Sequence, residues 1–469
     1  MIILFHLLFL SFIFPLNLTL HDYDNPSANH ILDIELQDER DLLIVSGMLG
    51  GIEFYDISSP QNLNHLDNLQ LSGGGGGGGQ GGGTKPNCIV SFGDYAYVTT
   101  NRGLGVIDIS NSSNPQYLGI VSGTNGYILE NLDVLDNSNV LAVAAHEDGV
   151  LIYDISNPSN PNYINTIESE NAWTVSFNSE YNILYVADEQ TLKIYSLDNQ
   201  FIYLNSFEMS NAIKDIIVYD DMLYIAIGSD GVAVYKVESE YSIVLIDVYN
   251  TSAMANRLAA FDFGSGHKVA VSDWDDVEIL EVYLDDTVEL VGYKNTTRRT
   301  MAIAAKDSYV YSAEWASIQV FEYGEVDGPD IDLNVYELNY PYVNNGESYT
   351  LSIEVTNNGN DILNVIDAYT TNSEFSYNDL ENLNPGETQI VDIVYTANSI
   401  NASGSYRIFS DDPDENQIIC ETNGNINGAN IGDDAPDFNL PIIANGNGSF
   451  QLSDYLGKVV ILAFFAPNL

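Results

Sequence analysis

Acidic and aromatic side chains recur in the short segments that join apolar runs across the middle of the chain. These segments include HEDG, DEQ, SDG, DWDD and EWAS, and several bring carboxyl groups close to an imidazole or indole ring. Carboxylates bind cations, and carboxylates beside aromatic rings also suit a basic ligand, including an aromatic one. The candidate binding residues are His146, Asp188, Asp230, Asp273, Trp274, Asp275, Glu314 and Trp315.

A second interpretation of these residues is structural. Asp, Asn and Gly are favoured in tight turns because their side chains bond nearby backbone groups or because they tolerate a positive φ. The sequence alone leaves both interpretations open. The partner predicted at these turns is therefore an unidentified protein or small ligand.

Groups that could perform catalysis are scarce. The chain has six His residues, two of which, His6 and His21, precede the repeated segments, and no Ser-His-Asp grouping emerges from the spacing. Cys88 and Cys420 lie far apart, and neither a CxxC pair nor zinc-ligand spacing is present. We therefore predict no catalytic residue, no metal-ligand set, no cofactor and no disulfide.

The apolar runs that flank the acidic segments form a repeat. Hydrophobic and polar residues alternate within each copy, which is the period of a β-strand, and a second apolar run follows. Successive copies are about 40–45 residues apart, as in four-stranded propeller blades, except where the glycine-rich insertion 73–83 intervenes. The pattern predicts a seven-bladed β-propeller over residues 21–328. The copies are DLLIVSG, DYAYVTT, NVLAVAA, NILYVAD, DMLYIAI, HKVAVSD and SYVYSAE, which begin at Asp41, Asp94, Asn139, Asn182, Asp221, His267 and Ser308.

The turns after the second runs carry a recurrent motif. The segments DISSPQNLNHL, DISNSSNPQYLG and DISNPSNPNYIN resemble the LVIVD-repeat propellers of bacterial surface and exported proteins. Asp and Ser bond local backbone groups and Pro presets φ, so we expect the motif to shape turns rather than perform chemistry. In such a propeller the loops that carry the candidate residues share the face around the channel mouth, which is the usual binding surface.

The last copy lacks a fourth strand, because the run that ends near Phe321 is followed by a segment typical of a linker. An unpaired strand at a sheet edge is a liability for aggregation. We therefore expect the segment Leu20–Ser27 to pair with this copy and close the ring.

Two further modules are predicted after the repeats. Residues 329–425 contain strands separated by Asn, Gly and Pro turns, and with VTNNGN and LNPGE they resemble the Ig-like β-sandwich modules of bacterial surface proteins. Residues 426–469, with APDF and LSDYLGKVV, resemble the start of a redoxin or thioredoxin-like domain of the alkyl hydroperoxide reductase/thiol-specific antioxidant group. That family carries a Cys after the apolar strand, and if FFA is aligned with the end of that strand, Leu469 occupies the Cys position. Either the full-length parent lacks this thiol or the alignment slips by a residue or more. We expect a truncated domain without thiol chemistry of its own.

The composition of the chain limits the compartments and the partners that are expected for the protein. Residues 1–20 form an apolar run followed by polar residues, which predicts a signal peptide or an anchor, and hence export to the periplasm, the cell surface or the extracellular space. The chain has 14 Lys and Arg against 67 Asp and Glu, a formal net charge of −53, which disfavours nucleic acids and anionic membranes as partners. No membrane insertion is expected beyond the N-terminal segment.

Two functions remain open at this point. The first is an exported modular binding or scaffold protein whose propeller is the interaction platform. The alternative is a thiol-disulfide oxidoreductase or peroxidase of the redoxin family whose catalytic part is missing from this chain. The predicted fold class is all-β: a seven-bladed β-propeller, then an Ig-like β-sandwich, then an incomplete thioredoxin-like segment.

Overall fold

The computed structural model of the protein describes residues 16–71, 84–198, 201–264, 266–283, 286–325, 328–398, 402–413, 417–425, 439–441 and 449–451. Strands are the main regular structure of these residues, with single 3-10 turns at Asp38–Arg40 and Asp136–Ser138. The chain divides into an N-terminal unit, Leu16–Glu325, and a C-terminal unit that contains the described residues after Val326. Among the described residues, no helix has the length and hydropathy needed to cross a bilayer.

The N-terminal unit begins with strand β1 (Leu16–Asp24) and continues with five four-stranded sheets. Each sheet is antiparallel, and its strands neighbour one another in chain order. Sheet 1 contains β2 (Asn29–Gln37), β3 (Leu42–Leu49), β4 (Gly51–Asp56) and β5 (Asn64–Leu69); sheet 2 contains β6 (Pro86–Phe92), β7 (Tyr95–Thr100), β8 (Gly103–Asp108) and β9 (Gln116–Ile120); sheet 3 contains β10 (Leu132–Leu135), β11 (Val140–Ala144), β12 (Val150–Asp154) and β13 (Asn162–Ile167); sheet 4 contains β14 (Ala172–Asn178), β15 (Ile183–Asp188), β16 (Thr191–Ser196) and β17 (Ile202–Glu208); sheet 5 contains β18 (Asp215–Tyr219), β19 (Met222–Ala226), β20 (Val232–Ser239) and β21 (Ser242–Tyr249).

The sixth sheet is larger and has the order β1-β26-β25-β24-β23-β22. Its strands after β1 are β22 (Arg257–Phe263), β23 (Gly266–Val282), β24 (Val288–Lys306), β25 (Tyr309–Glu314) and β26 (Ile318–Glu325). The two long strands change partners halfway: β22 pairs with β23 only up to Ser272, and β25 pairs with β24 only from Thr300. The sheet therefore has two halves: in one, β23 pairs first with β22 and then with β24, and in the other, β24, β25, β26 and β1 pair in turn.

The N-terminal strand completes this sheet. β1 pairs antiparallel with β26, from Leu16 opposite Glu325 to Asp24 opposite Ile318. This confirms the prediction that the start of the chain pairs with the last repeat, although the strand begins earlier than predicted. Five residues of the predicted export segment, 16–20, thus belong to the sheet, and residues 1–15 of that segment lie outside the described residues, as does the glycine-rich insertion 73–83.

The first strands of successive sheets lie next to one another. β2 contacts β6, β6 contacts β10, and the series continues through β14, β18 and β22, while β24 returns to β2. Hydrophobic clusters fill the space between neighbouring sheets. Leu43 and Val45 of β3 pack toward the sixth sheet, whereas Leu42 and Ile44 pack toward sheet 2. Alternate side chains point to opposite faces of a strand, so a strand buried on both faces needs the continuous apolar run seen in the sequence.

The recurrent DIS motif makes the turns predicted from the sequence. In each copy the Asp side chain accepts a hydrogen bond from the backbone N–H of the Ser two residues later, at 2.8 Å for Asp56, 2.9 Å for Asp108 and 2.8 Å for Asp154. The backbone carbonyl of a Pro that follows the motif accepts a hydrogen bond from a neighbouring sheet. The hydroxyl of Tyr97 donates to the Pro158 carbonyl at 3.0 Å. The motif is therefore structural.

The C-terminal unit contains two four-stranded sheets and a short hairpin. Residues from both sheets form one hydrophobic core, in which Ile353 and Val391 of one sheet meet Tyr406 and Ile418 of the other. The strands are β27 (Ile331–Leu333), β28 (Glu337–Asn339), β29 (Ser348–Asn357), β30 (Val365–Thr370), β31 (Phe375–Tyr377), β32 (Thr388–Thr396), β33 (Ala402–Ser410), β34 (Gln417–Gly424), β35 (Asn439–Pro441) and β36 (Ser449–Gln451). Of the segment with redoxin resemblance, only the β35–β36 hairpin belongs to the described residues.

Candidate functional site

A cavity of about 550 Å³ lies among the first strands of the sheets in the N-terminal unit. Its wall includes residues of β2, β6, β10, β14, β18 and β22, so every one of the six sheets contributes. The titratable groups of this wall are mostly acidic. They include Asp33, Glu35, Asp133, Asp215 and Arg257.

The carboxylates of the cavity join three pairs of neighbouring sheets, namely sheets 1 and 2, sheets 3 and 4, and sheets 5 and 6. The first strand of a sheet has a free edge whose backbone N–H groups need acceptors. Carboxylate oxygens of the preceding sheet accept these hydrogens: Asp33 from Ile89 at 2.9 Å, Glu35 from Ser91 at 2.8 Å, Asp133 from Phe177 at 2.7 Å and Asp215 from Leu258 at 3.0 Å.

Arg257 is the basic residue of the cavity wall. Its Nη1 atom lies 3.5 Å from Oδ1 of Asp215, and its Nε atom lies 4.0 Å from Oδ1 of Asp33. Its Nη2 atom donates to Sγ of Cys88 at 2.9 Å. Arg257 thus joins three of the strands around the cavity, β2, β6 and β18, to its own strand β22.

Burial changes the protonation of the cavity carboxyls. Desolvation raises the pKa of Asp33 to about 6, because Arg257 only partly offsets the cost of the buried charge. Desolvation likewise raises the pKa of Asp133 to about 7 and that of Glu35 to about 8. Near neutral pH each of these groups is present partly as the neutral acid and partly as the carboxylate. The cavity therefore favours a ligand that brings positive charge or hydrogen-bond donors.

Two of the candidate loop residues meet through Asn171. The Nδ1 atom of His146 lies 2.8 Å from Oδ1 of Asn171, and the backbone N–H of Asn171 donates to Asp188 at 2.7 Å. The Nε2 atom of His146 lies 2.8 Å from Glu130, and Asp188 also pairs with Lys193. His146 and Asp188 therefore belong to one polar network at the junction of sheets 3 and 4.

A second group of candidates meets in the sixth sheet. The Arg299 guanidinium lies over the Trp274 ring, 4.6 Å from its centroid, and the backbone N–H of Trp315 donates to the Arg299 carbonyl at 2.9 Å. Trp274 and Glu314 both lie opposite Thr300 in the ladder. Asp273 and Asp275 flank Trp274 in the same strand. The structure thus brings together five of the eight candidates here.

The remaining candidate, Asp230, has local partners: Asn211 donates to it at 3.4 Å and also to Ser229 at 2.8 Å. Burial distinguishes the eight residues further. Asp188, Asp273 and Glu314 are buried, and Asp188 and Asp273 accept backbone N–H groups of adjacent loops. Asp188 and Asp273 therefore bond loop backbone groups, as the structural interpretation of these residues predicts.

The sequence analysis missed the residues of the cavity wall. Their signal is an Asp between other β-strand residues in the first strand of a repeat, as in LDI at Asp33, LDV at Asp133 and KDI at Asp215. A charged residue in an otherwise apolar strand indicates either an edge or a polar cavity. Arg257 has no such repeated signal, because its equivalents in the other sheets are different residue types.

Comparison with known proteins gives a match within this unit. The family model described as LVIVD repeat matches residues 86–123 and 131–168. Both stretches are LVIVD repeats. They coincide with sheets 2 and 3 and, with the series of small sheets, they fit a β-propeller. No curated protein matches the chain.

Proposed function

We propose that the N-terminal unit is a seven-bladed β-propeller that serves as the binding platform of an exported modular protein. The blades are sheets 1 to 5 and the two halves of the sixth sheet. Seven hydrophobic clusters support this count, because each one lies between two neighbouring four-stranded groups, including one between the halves of the sixth sheet that contains Leu18, Ile279 and Phe321.

The observation that carries the binding function is the acidic cavity of about 550 Å³. A concave site with a few convergent polar groups and shifted pKa values is the usual form of a ligand site. Five carboxyl groups and one guanidinium line the cavity, so the ligand chemistry that fits best is a small organic cation, or a basic side chain of a partner protein. The His146 and Trp274 loop groups would supply a polar and aromatic surface to a larger partner.

The C-terminal unit is assigned a supporting role. We infer that residues 329–425 form an Ig-like spacer, supported by two sheets with one shared core. The segment 426–469, on which the oxidoreductase alternative depends, lies largely outside the described residues. Burial raises the pKa of Cys420 to about 12 and also raises that of Cys88, which disfavours the reactive thiolate at both positions. The binding function therefore has the stronger support.

Calorimetric titration with spermidine tests the proposal. The wild-type chain should bind spermidine at low salt, and the double variant Glu35→Gln/Asp133→Asn should bind at least about tenfold more weakly, since each substitution removes a carboxyl group that can ionise beside a bound cation. Asp262→Asn, an exposed carboxyl outside the cavity, serves as the matched control. Equal affinities for all three proteins would mean that spermidine binds the acidic surface rather than the cavity, and would contradict the proposal.

A further inference from the structure

Carboxyl groups converge at the middle of β23, outside the cavity. Asp273, Asp275 and Asp276 each offer an oxygen, and these oxygens lie within 4.8 Å of one another. Glu278 follows on the same strand. Asp273, Asp276 and Glu278 are buried, whereas Asp275 is exposed.

Ser252 connects the three buried carboxylates. Its backbone N–H donates to Oε1 of Glu278 at 2.8 Å. Its hydroxyl oxygen lies 2.9 Å from Oδ2 of Asp273 and 2.7 Å from Oδ2 of Asp276. A hydroxyl carries a single proton, so it donates fully to only one of these two oxygens. A cation beside the two carboxyl groups would supply the interaction that this single proton cannot give to both.

Two buried carboxylate oxygens of the cluster are also available to contact a cation. Asp276 and Glu278 are each 1% exposed, and Oδ1 of Asp276 and Oε2 of Glu278 have no hydrogen-bond partner among the described residues. A buried carboxylate oxygen without a partner is strongly unfavourable.

Nearby basic groups have other partners. The guanidinium of Arg299 lies over the Trp274 ring. The ion pairs of Arg257, Lys268 and Lys306 are formed with other carboxyl groups. Four carboxyl groups therefore gather on β23 apart from these pairs.

We propose that Asp273, Asp275, Asp276 and Glu278 form a binding site for a hard divalent cation, with Ca²⁺ as the best fit. The donors are all oxygens, which Ca²⁺ and Mg²⁺ prefer, and the set contains no His or Cys that would select zinc or copper. Ca²⁺ accepts six to eight oxygens in a flexible geometry, and the exposed Asp275 leaves room for water ligands. This site is independent of the ligand proposed for the cavity.

The cation would hold a loop between two sheets. Thr251 donates its hydroxyl to Asp273 at 2.8 Å, and the backbone N–H of Ala253 donates to the same carboxylate at 2.6 Å. These residues belong to the connection between β21 of sheet 5 and β22 of the sixth sheet. Neutralising the carboxylates with a cation stabilises this connection, so cation binding and thermal stability should be linked.

The test compares metal-free full-length wild type with the double variant Asp276→Asn/Glu278→Gln, using CaCl2 as the probe. Asn and Gln remove the repulsion while they keep the side-chain size, so the variant should fold without calcium. We expect wild type to bind one equivalent of Ca²⁺ and to gain about 3 °C or more in Tm at a hundredfold excess over Kd. The variant should bind at least about tenfold more weakly and show no such gain in Tm.

Two controls make the result decisive. Glu35→Gln removes a buried carboxyl of the cavity, and it should keep both the calcium affinity and the Tm gain of wild type. Tb³⁺ luminescence, sensitised by indole, should fall in Trp274→Phe while calcium affinity is kept, because Trp274 lies between Asp273 and Asp275. The proposal is overturned if calcium leaves the Tm of wild type unchanged, if the double variant responds as wild type does, or if Glu35→Gln is the variant that loses binding.

Discussion

Leu16 lies opposite Glu325 in the antiparallel ladder of β1 and β26, so the first described residue meets the last residue of the N-terminal unit. Leu18 of the same strand is fully buried, in a cluster with Ile279 and Phe321. The ladder gives the final four-stranded group its outer strand. In the proposed propeller, closure of the ring therefore depends on β1, which directly follows an apolar run in the sequence.

The pairing of β1 with β26 limits where the N-terminal segment can be cleaved. If the N-terminal segment is removed on export, the mature chain should begin no later than Leu16, because cleavage after Leu20 would remove the buried Leu18 and half of β1. N-terminal sequencing of the exported protein checks this. A mature N-terminus beyond Leu20 on a folded protein would contradict the role assigned to β1.

Closure also predicts the effect of a core substitution in β1. Leu18→Ala should lower the free energy of unfolding by about 2–5 kcal/mol, since it removes a fully buried side chain. Tyr23→Ala in the same strand is the matched control, because Tyr23 is 44% exposed. Urea denaturation of both variants measures the difference. Similar losses for the two variants would show that β1 is not packed as described.

The Tyr–Pro contact between sheets predicts a smaller effect. Tyr97→Phe removes the hydroxyl that donates to the Pro158 carbonyl, and it should cost about 0.5–1.5 kcal/mol in the free energy of unfolding. Tyr163→Phe is the control, because the Tyr163 hydroxyl bonds Thr166 on the exposed outer strand. Thermal denaturation should separate the variants, and an unchanged Tm for Tyr97→Phe would remove the proposed link between sheets 2 and 3.

Substitution of Arg257 should lower the free energy of unfolding more than substitution of most other polar residues. Arg257→Met leaves Asp33 and Asp215 buried without their cation, and we expect a loss of about 3 kcal/mol in the free energy of unfolding. Lys236→Met removes an exposed pair with Asp221 and should cost less than about 1 kcal/mol. Chemical denaturation of both variants gives the comparison. A loss for Arg257→Met no larger than that for Lys236→Met would contradict the interior ion pairs.

The cavity carboxyls predict a pH dependence of stability. The pKa of Glu35 rises from an ordinary 4.5 to about 8 on folding, so the folded state holds the proton more tightly. Stability from this group is complete below about pH 4.5 and is lost as the pH rises toward 8, because the buried carboxylate must then be charged. Glu35→Gln should therefore raise Tm by roughly 2 °C or more at pH 9 and change it less at pH 5. A uniform shift at both pH values would argue against the raised pKa.

The repeat, the strands and the turns follow from the sequence because they depend on local patterns. Alternation predicts strands such as β3 and β11, and Asp-x-Ser predicts the turns at Asp56 and Asp154. The pairing of β1 with the last repeat follows from the need to cover an edge.

Other features depend on contacts between segments distant in sequence. The fusion of two repeats through β23 and β24 arises from a register shift between Trp274 and Asp276, which no local pattern specifies. The cavity depends on which side chains of six separate strands face one another. For the same reason, the sequence named Asp273 and Asp275 as loop residues but could not show that Asp276, Glu278 and Ser252 complete their cluster.

A crystal structure of the full chain grown with spermidine at saturating concentration would report both the number of blades and the occupant of the cavity. We expect seven four-stranded groups around one axis and ligand density in the cavity, with amino groups within hydrogen-bond distance of Asp133 and Glu35. A different number of groups, or spermidine bound only on the outer surface while the cavity holds water, would contradict this expectation.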